Sequence, residues 1–293
     1  MMIEQFLNYL RYERNASPLT VSGYETNLRM FEDFFRTLEG ELTWATVDSD
    51  VIRDWAEDMM DKGNKASSVN TKLCAVRSFY RFALSRNLVD RDPAHRVSGP
   101  KRDKRLPQFV RETEMNELLD QTAWQNDYES VRARTIFTLF YETGIRLAEL
   151  IGMEDKDVDF SARQLKVTGK RDKQRIVPFG SELAEMLRQF IEVRDEQVSR
   201  NSPALFLTGK GERMSRRQVQ YVVKKHLSTV TTLKKRSPHV LRHTFATAML
   251  NNGAGLESVK KLLGHESLAT TEVYTHTTFE QLKRVYNDAH PRA

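Results

Sequence analysis

Apolar residues recur at helical spacing through the first ninety residues, in runs separated by turn-forming residues. The runs are predicted to be helices at residues 2–13, from Ser17 or Thr20 to Gly40, from Asp48 to Gly63, and from Ser67 or Ser68 onward. Each helix has one apolar face, and its aromatic side chains are expected to form a core rather than a surface for stacking bases. Short connections between four such helices predict a small bundle.

A change of composition follows the last of these helices. Residues 91–108 contain three prolines, a glycine and a cluster of cations, a mixture typical of an extended segment. We therefore expect a first domain at 1–90, a basic linker at 91–108 and a second domain at 109–293.

The second domain is predicted to be mostly helical with a small antiparallel sheet, so the fold class is mainly α. Helical periodicity marks 130–142, 182–198, a segment capped by Ser215, a helix that Ser237 and Pro238 begin, 256–263, and 279–286. Residues 157–178 change to short β segments, with 169–173 as a hairpin turn. Gly264 closes the helix at 256–263 and delivers His265, and Ser267 can cap a helix that carries Tyr274.

Composition narrows the functional classes. The chain has 293 residues, a formal net charge of +6 and a single cysteine, Cys74, which cannot form an intramolecular disulfide. A basic balance is consistent with a nucleic-acid partner. Because no signal peptide or membrane-length apolar run is present, we expect a soluble cytoplasmic protein.

The most informative stretch runs from residue 237 to 276. His239 and Arg242 lie at helical spacing on one face, and His265 and Tyr274 follow on neighbouring segments. Arginine suits phosphate oxygens, histidine transfers protons, and tyrosine can act as a nucleophile. Together they suit attack of a phenol on a phosphodiester. Two other interpretations remain: Tyr274 as an ordinary core residue, and a metal site at His239, His243 and His265. The metal-site pattern lacks the glutamate of zinc proteases, because Val240 occupies that position.

Two upstream segments add cations. Arg146 follows Thr143 and Gly144 at the head of a helix, where anions are favoured, although pairing with Glu149 is the ordinary alternative. Lys170 lies in the hairpin turn and could protonate a leaving oxygen. The neighbouring Arg171, Lys173 and Arg175 leave the choice of lysine open from the residues alone.

Further basic residues are candidate DNA contacts, to phosphates rather than bases. Each one taken singly is more commonly solvated surface. They are Lys65, Lys72 and Arg77 in the bundle, Lys101, Arg102, Lys104 and Arg105 in the linker, Lys173 and Arg175 in the hairpin, and Arg216, Arg217, Lys224 and Lys225 on the helix that Ser215 begins.

Several of these segments resemble the motifs of the tyrosine recombinase (phage integrase) family. The matching segments are HVLRH at 239–243, LGH at 263–265, YTH at 274–276, TGIRLAEL at 143–150, and VTGK at 167–170 followed by RDKQRIVP. The tail at 290–293 is similar to that of the Xer recombinases. The resemblance covers nearly the whole chain.

The resemblance implies a SAM-like core-binding bundle that clamps DNA, followed by a catalytic domain. It implies that Tyr274 attacks the scissile phosphate, leaving a 3′-phosphotyrosyl link. Arg146 and Arg242 would hold the phosphate oxygens, and family spacing favours Lys170 as the acid. His239 would serve as base or donor, and His265 as a further donor. No metal, nucleotide or other cofactor is implied.

The implied partners are double-stranded DNA and other recombinase subunits. Strand exchange through a Holliday junction requires a tetramer on synapsed DNA, of this chain alone or with a sister recombinase, and an FtsK-type translocase is a further candidate partner. The tail would dock on a neighbouring subunit. The implied role is resolution of chromosome or plasmid dimers at a dif-like site.

Alternatives to that role remain open at this point. A mobile-element integrase often carries an additional N-terminal domain, whereas this sequence begins at the bundle. A type IB topoisomerase shares the residue set but reseals one duplex. An inactive architectural DNA-binding protein would not need all of the motifs intact.

Overall fold

The computed structural model describes residues 2–38, 41–101, 108–169, 172–264 and 276–292, with the side chains of the final helix described from residue 281 onward. The chain divides into two compact units, Met1–Arg105 and Leu106–Ala293. The fold is mainly helical, with a small antiparallel sheet in the second unit. Among the described residues, no helix combines the length and apolar character needed to cross a membrane.

The first unit is the predicted helical bundle. Its helices are α1 (Met2–Asn8), which continues as a π-helical turn (Tyr9–Glu13), α2 (Pro18–Arg36), α3 (Ser49–Asp61) and α4 (Ala66–Ser85). The Ser17 hydroxyl accepts the Thr20 amide at 3.2 Å, and Asp48 accepts the amides at the start of α3. These two caps confirm the predicted starts of α2 and α3, whereas α4 begins slightly before Ser67.

Aromatic side chains fill the core of this bundle. The ring centroids of Phe31 and Trp55 lie 4.8 Å apart, and those of Trp44 and Phe79 lie 4.3 Å apart. The Tyr80 hydroxyl is also buried and donates to the Trp44 carbonyl at 3.1 Å. The expectation that the aromatic residues form a core is therefore confirmed.

Part of the predicted linker belongs to the bundle. Ala94 and Val97 are buried in its core, the Arg77 guanidinium donates to the Val97 carbonyl at 2.7 Å, and the Asn70 amide donates to the Pro100 carbonyl at 2.8 Å. The prediction of an extended linker was wrong for residues 91–101, because two apolar side chains anchor the segment despite its prolines and charges. Residues 102–107, including Arg102, Lys104 and Arg105, lie outside the described part of the chain.

The second unit is organised around one central buried helix. Its elements are α5 (Glu112–Asn116) continuing as a π-helical turn (Glu117–Gln121), α6 (Tyr128–Thr143), α7 (Leu147–Gly152), a 3-10 turn (Asp155–Asp157), β1 (Val158–Asp159), β2 (Gln164–Thr168), β3 (Gln174–Pro178), α8 (Ser181–Gln197), α9 (Arg216–Val230), α10 (Pro238–Asn251), α11 (Leu256–Leu263) and α12 (His276–Ala289). Helix α6 is buried along nearly its whole length and packs against α8 and α10.

The sheet has the antiparallel order β1-β2-β3. Leu165 pairs with Val177 and Val167 pairs with Arg175, so these four side chains share the buried face. Ile176 between them points outward and is 37% exposed. The alternation of the strand therefore places an arginine inside and an isoleucine outside.

Among the described helices of this unit, two were predicted to begin at a serine cap, and the structure confirms the cap in one of them. Ser215 caps α9, as predicted, and Gln218 completes a reciprocal capping box with it. Ser237 precedes α10, but among the described residues its buried hydroxyl has no hydrogen-bond partner. Pro238 at the first helical position therefore begins α10 without a side-chain cap.

The C-terminal tail packs against its own domain. The His290 ring is 5% exposed, stacks on Tyr286 with centroids 5.3 Å apart, and its Nε2 lies 3.1 Å from the Tyr141 carbonyl. Arg292 donates to Glu182 at 2.6 Å and also pairs with Asp120. The described apolar and ionic partners of His290 and Arg292 lie within the same chain. Docking of the tail on a neighbouring subunit, which the resemblance implies, stays a prediction.

Candidate active site

Arg146 lies where α6 ends and α7 begins. Gly144 ends α6 in the left-handed region at φ 58°, and a Cβ there would collide with Phe245 and Leu263. The chain then turns sharply and places Arg146 at the start of α7, as predicted. Its guanidinium is partly exposed and donates to Glu149 at 2.8 Å and to the Gly264 carbonyl at 2.7 Å.

Arg242 projects from α10 toward the same turn and is 8% exposed. Its two terminal nitrogens donate to the carbonyls of Gly144 and Leu263, each at 2.7 Å. Burial, and then the charges of Arg146 and Arg175, lower the pKa of Arg242 to about 10. The guanidinium therefore remains charged at neutral pH, in a position that α6 and α11 fix from two sides.

Arg175 reaches the cluster from strand β3. Its guanidinium forms a bidentate pair with Glu149 at 2.7 and 3.0 Å, and its Nε donates to the Leu262 carbonyl at 3.1 Å. The side chain is 9% exposed. The expectation that Arg175 is a surface contact to DNA phosphate is corrected, because all of these donors face acceptors inside the protein.

The C-terminal end of α11 thus holds three guanidiniums through three consecutive carbonyls. Arg175 binds Leu262, Arg242 binds Leu263, and Arg146 binds Gly264. The last carbonyls of a helix lack intrahelical partners and carry partial negative charge, which favours cations there. Gly264 makes this possible, because it adopts φ 64° and its missing side chain leaves room for the Arg175 guanidinium.

Glu149 supplies the counter-charge and is 3% exposed. Burial alone would raise the pKa of Glu149, but its hydrogen bonds to Arg175 and Arg146 outweigh that effect and hold the pKa below its usual range. The carboxylate is therefore ionised at neutral pH. Three guanidiniums and one carboxylate leave the cluster with a net charge of +2.

His239 lies one helical turn before Arg242, on the exposed side of α10. The surrounding protein still displaces part of its hydration, and this desolvation, followed by the charges of Lys235 and His243, lowers the pKa of the His239 imidazole. A lowered pKa keeps the ring neutral near pH 7, in the form that can accept a proton.

The remaining predicted catalytic residues, Lys170, His265 and Tyr274, lie outside the described residues. Lys173 is described and exposed. Within the described ranges, no three histidine, cysteine or carboxylate side chains stand close enough together to hold a metal ion.

The candidate DNA contacts fall into several groups. Lys65 and Lys101 are exposed, and Lys72 is half-buried. Arg77 holds the backbone of the segment at 91–101, as described above. The basic side of α9 is exposed throughout and consists of Arg216, Arg217, Lys224 and Lys225.

Sequence reasoning missed the roles of Glu149 and Arg175. Glu149 appeared only as an ordinary ion-pair partner of Arg146, and the structure shows that it pairs with Arg175 as well. A usable signal existed for Arg175. It lies two residues before Val177 on a strand, so the two side chains must share one face, and an apolar valine indicates that this face is buried.

Family comparisons cover both units. Residues 3–87 match the SAM-like N-terminal domain of phage integrases, and residues 108–281 match the phage integrase family. The second match includes every predicted catalytic residue.

Similar proteins cover nearly the full length. The chain is 39% identical over 315 residues to the tyrosine recombinase XerC of Chlorobaculum tepidum, covering 99% of this chain and 94% of that protein. It is 39% identical over 301 residues to XerC of Pelotomaculum thermopropionicum, covering 99% and 98%. The fold is similar to that of the XerH site-specific recombinase bound to a palindromic difH substrate, with a TM-score of 0.73, 20% identity, and coverage of 96% of this chain and 83% of that chain. The chain therefore belongs to the phage integrase family of tyrosine recombinases and is a site-specific DNA recombinase.

Proposed function

We propose that Arg146 and Arg242 bind the non-bridging oxygens of a scissile DNA phosphate while Tyr274 attacks the phosphorus. The observation that carries this proposal is the guanidinium cluster held on the end of α11. Fixed donors that require no rearrangement during the reaction stabilise developing charge most effectively. Arg146 is the more exposed of the two, so it offers its donors to a ligand more readily.

The charge of the cluster suits this reaction. A phosphodiester carries one negative charge, and attack by a phenolate adds a second in the pentacoordinate transition state. The net +2 of the three guanidiniums and Glu149 balances these two charges. The low pKa of Glu149 matters here, because a protonated Glu149 would leave Arg146 and Arg175 without their anchor.

The other roles follow the family motifs. A neutral His239 accepts the proton of Tyr274 or donates a hydrogen bond to the phosphate, and His265 is a further donor. Lys170 protonates the 5′-oxygen as it leaves. The products are a 3′-phosphotyrosyl link and a free 5′-hydroxyl. Because the link conserves the energy of the phosphodiester bond, rejoining needs no metal or nucleotide.

DNA is the proposed partner, and the basic side of α9 is the clearest candidate contact in the described residues. Each phosphate that Arg216, Arg217, Lys224 or Lys225 neutralises would release counterions and add salt dependence to binding. Exchange of both strands proceeds in two rounds through a Holliday junction, on a tetramer that synapses two duplexes. A sister recombinase and an FtsK-type translocase are candidate partners of that assembly.

The biological role we propose is resolution of chromosome or plasmid dimers at a dif-like site, in the cytoplasm, in support of chromosome partition at cell division. The similarity to several proteins named XerC favours this role over that of a mobile-element integrase. The lone cysteine, Cys74, agrees with a reducing compartment.

The test is a nicked suicide duplex that carries a candidate dif-like site from the host chromosome. The full-length protein is incubated with this duplex in EDTA, and the products are separated on a denaturing gel. We expect a protease-sensitive covalent adduct that the Tyr274→Phe variant does not form, although that variant still binds the duplex.

An adduct that persists in Tyr274→Phe would contradict the choice of nucleophile. An adduct that forms on the excised ends of a mobile element, and on no dif-like duplex with or without a sister recombinase, would favour the integrase role instead.

A further inference from the structure

We infer that Arg175 is a positioning residue for Arg146 and Arg242, which together form the proposed phosphate clamp, and that Arg175 does not contact DNA. Its guanidinium lies among Glu149, the Leu262 carbonyl and Gly264. The inference rests on the proposed role of Arg146, and it assigns a function to a side chain that belongs to none of the proposed catalytic roles.

The first contact orients Arg146 indirectly. Both carboxylate oxygens of Glu149 are shared: Oε1 accepts from Arg175 at 2.7 Å and Arg146 at 2.8 Å, and Oε2 accepts from Arg175 at 3.0 Å and the Arg146 amide at 2.7 Å. A buried carboxylate bound on both oxygens cannot rotate without breaking these bonds. Arg175 therefore fixes the plane of Glu149, and Glu149 fixes Arg146.

The second contact orients the end of α11. The Arg175 Nε holds the Leu262 carbonyl, one residue before the carbonyl that binds Arg242 and two before the one that binds Arg146. The same guanidinium fills the space beside Gly264, within about a van der Waals contact of where a Cβ would stand. Both phosphate-binding arginines therefore depend on a helix end that Arg175 helps to hold.

The origin of Arg175 gives these contacts a further consequence. It lies on β3, directly across from Val167 on β2, and residues 169–173 connect the two strands. Close to the turn, the Gly169 amide donates to the Lys173 carbonyl at 2.7 Å. The Arg175 side chain thus connects the sheet to the end of α11 and, through Glu149, to the start of α7.

Lysine cannot replace this arginine. The three hydrogen bonds require a planar fork with donors in fixed directions, whereas an ammonium group is a point charge on a flexible stem. An Arg175→Lys variant keeps the charge beside Glu149, and so the ion pair, but loses the geometry. It is the variant of choice, because Arg175→Met leaves a buried carboxylate short of a partner and is more prone to unfold.

The test compares two suicide duplexes that differ only in one non-bridging oxygen of the scissile phosphate, which a methyl group replaces in the second duplex. One has an ordinary scissile phosphate, and the other has a methylphosphonate there, which removes the charge of one non-bridging oxygen. A variant with a defective clamp should lose much less activity on the neutral methylphosphonate than on the phosphate. The ratio of the two cleavage rates is taken within one protein preparation, so the fraction of folded protein cancels.

We expect Arg175→Lys to cleave the phosphate duplex about 10²-fold more slowly than the unmodified protein, since small misplacements of a reacting group cost about this much. On the methylphosphonate duplex we expect the variant to be less than roughly tenfold slower than the unmodified protein, because the transition state there carries less negative charge for Arg146 and Arg242 to stabilise. DNA affinity and its salt dependence should stay unchanged, because a residue that meets no phosphate releases no counterion. Lys166→Met is the matched control: it removes an exposed cation from β2, and both rates should stay near those of the unmodified protein.

Equal defects on the two duplexes, a normal rate for Arg175→Lys, or a weaker salt dependence would each overturn the inference. Arg146→Ala is the internal reference. If Arg146→Ala shows no methylphosphonate effect, the clamp assignment itself fails. If Arg146→Ala shows the effect and Arg175→Lys does not, only the positioning role of Arg175 fails.

Discussion

The buried carboxyl group of Glu142 leads to a quantitative prediction about the free energy of unfolding of the second unit. It is fully buried near the end of α6, and its Oε2 accepts the Gly180 amide at 3.2 Å and the Tyr286 hydroxyl at 3.3 Å. Among the described residues, its Oε1 has no hydrogen-bond partner. Burial raises the pKa of Glu142 to about 8 from an ordinary 4.5, so the group is mainly protonated in the folded domain at pH 7 and ionised in the unfolded chain.

We expect Glu142→Gln to stabilise the second unit, by an amount that grows with pH. A pKa raised in the folded state contributes stability that is fully present below pH 4.5 and is lost as the pH rises through 8. Glutamine resembles the protonated acid and does not titrate. A pH of 7 lies 2.5 units above the ordinary pKa of 4.5, so ionisation of this group stabilises the unfolded wild-type chain by about 1.4 kcal/mol per pH unit, or roughly 3 kcal/mol. Near pH 5 the gain should fall below about 1 kcal/mol.

The assay is urea denaturation of the full chain at several pH values, followed by pulsed hydrogen exchange and mass spectrometry on peptides of α6 and α12. These peptides report the second unit without interference from the bundle. Glu185→Gln on the surface of α8 is the control, and its effect should stay within about 0.5 kcal/mol at every pH. A free-energy difference between Glu142→Gln and the unmodified protein that does not change from pH 5 to pH 9 would refute the reasoning.

Three further predictions concern the active site. Arg242→Lys should lower single-turnover cleavage by about 10²–10³-fold, because an ammonium cannot serve the carbonyls of Gly144 and Leu263 in the same geometry; a normal rate would contradict its place in the clamp. If His239 is the general base, the cleavage rate should fall only below pH 6.5, since the pKa of its imidazole is lowered, and His239→Gln should lose this dependence; an acid limb centred above pH 6.5 would argue against the assignment. Cleavage should proceed at its full rate in EDTA; a loss of activity that zinc restores would return the histidines to consideration as metal ligands.

The architecture was largely predictable from the sequence because it follows from local rules. Helical periodicity, the caps at Ser17, Asp48 and Ser215, and the change of period at the hairpin each depend on neighbouring residues alone. The motifs pointed to Arg146 and Arg242 for a similar reason, because each motif is a short run of neighbouring residues, TGIRLAEL at 143–150 and HVLRH at 239–243.

What escaped prediction depends on contacts between distant parts of the chain. The burial of Arg175 results from strand register and from an acid 26 residues away in sequence. Val97 and the tail residue His290 sit in polar, proline-containing segments, yet tertiary packing buries both. Composition describes such segments on average, whereas a single well-placed apolar or aromatic side chain decides where they lie.

The shared anchoring of the arginines has a consequence for how this protein tolerates change in its sequence. The apolar side of α11, formed by Val259 and Leu262, packs into a small cluster with Phe245, Met249 and Tyr286. None of these side chains is among the proposed phosphate ligands. We expect a conservative substitution there, such as Val259→Ala, to shift the helix whose last carbonyls bind all three guanidiniums, so that a packing defect also disturbs the proposed phosphate clamp. Screens that score folding and screens that score recombination should therefore disagree most on this cluster, where variants stay folded but lose turnover.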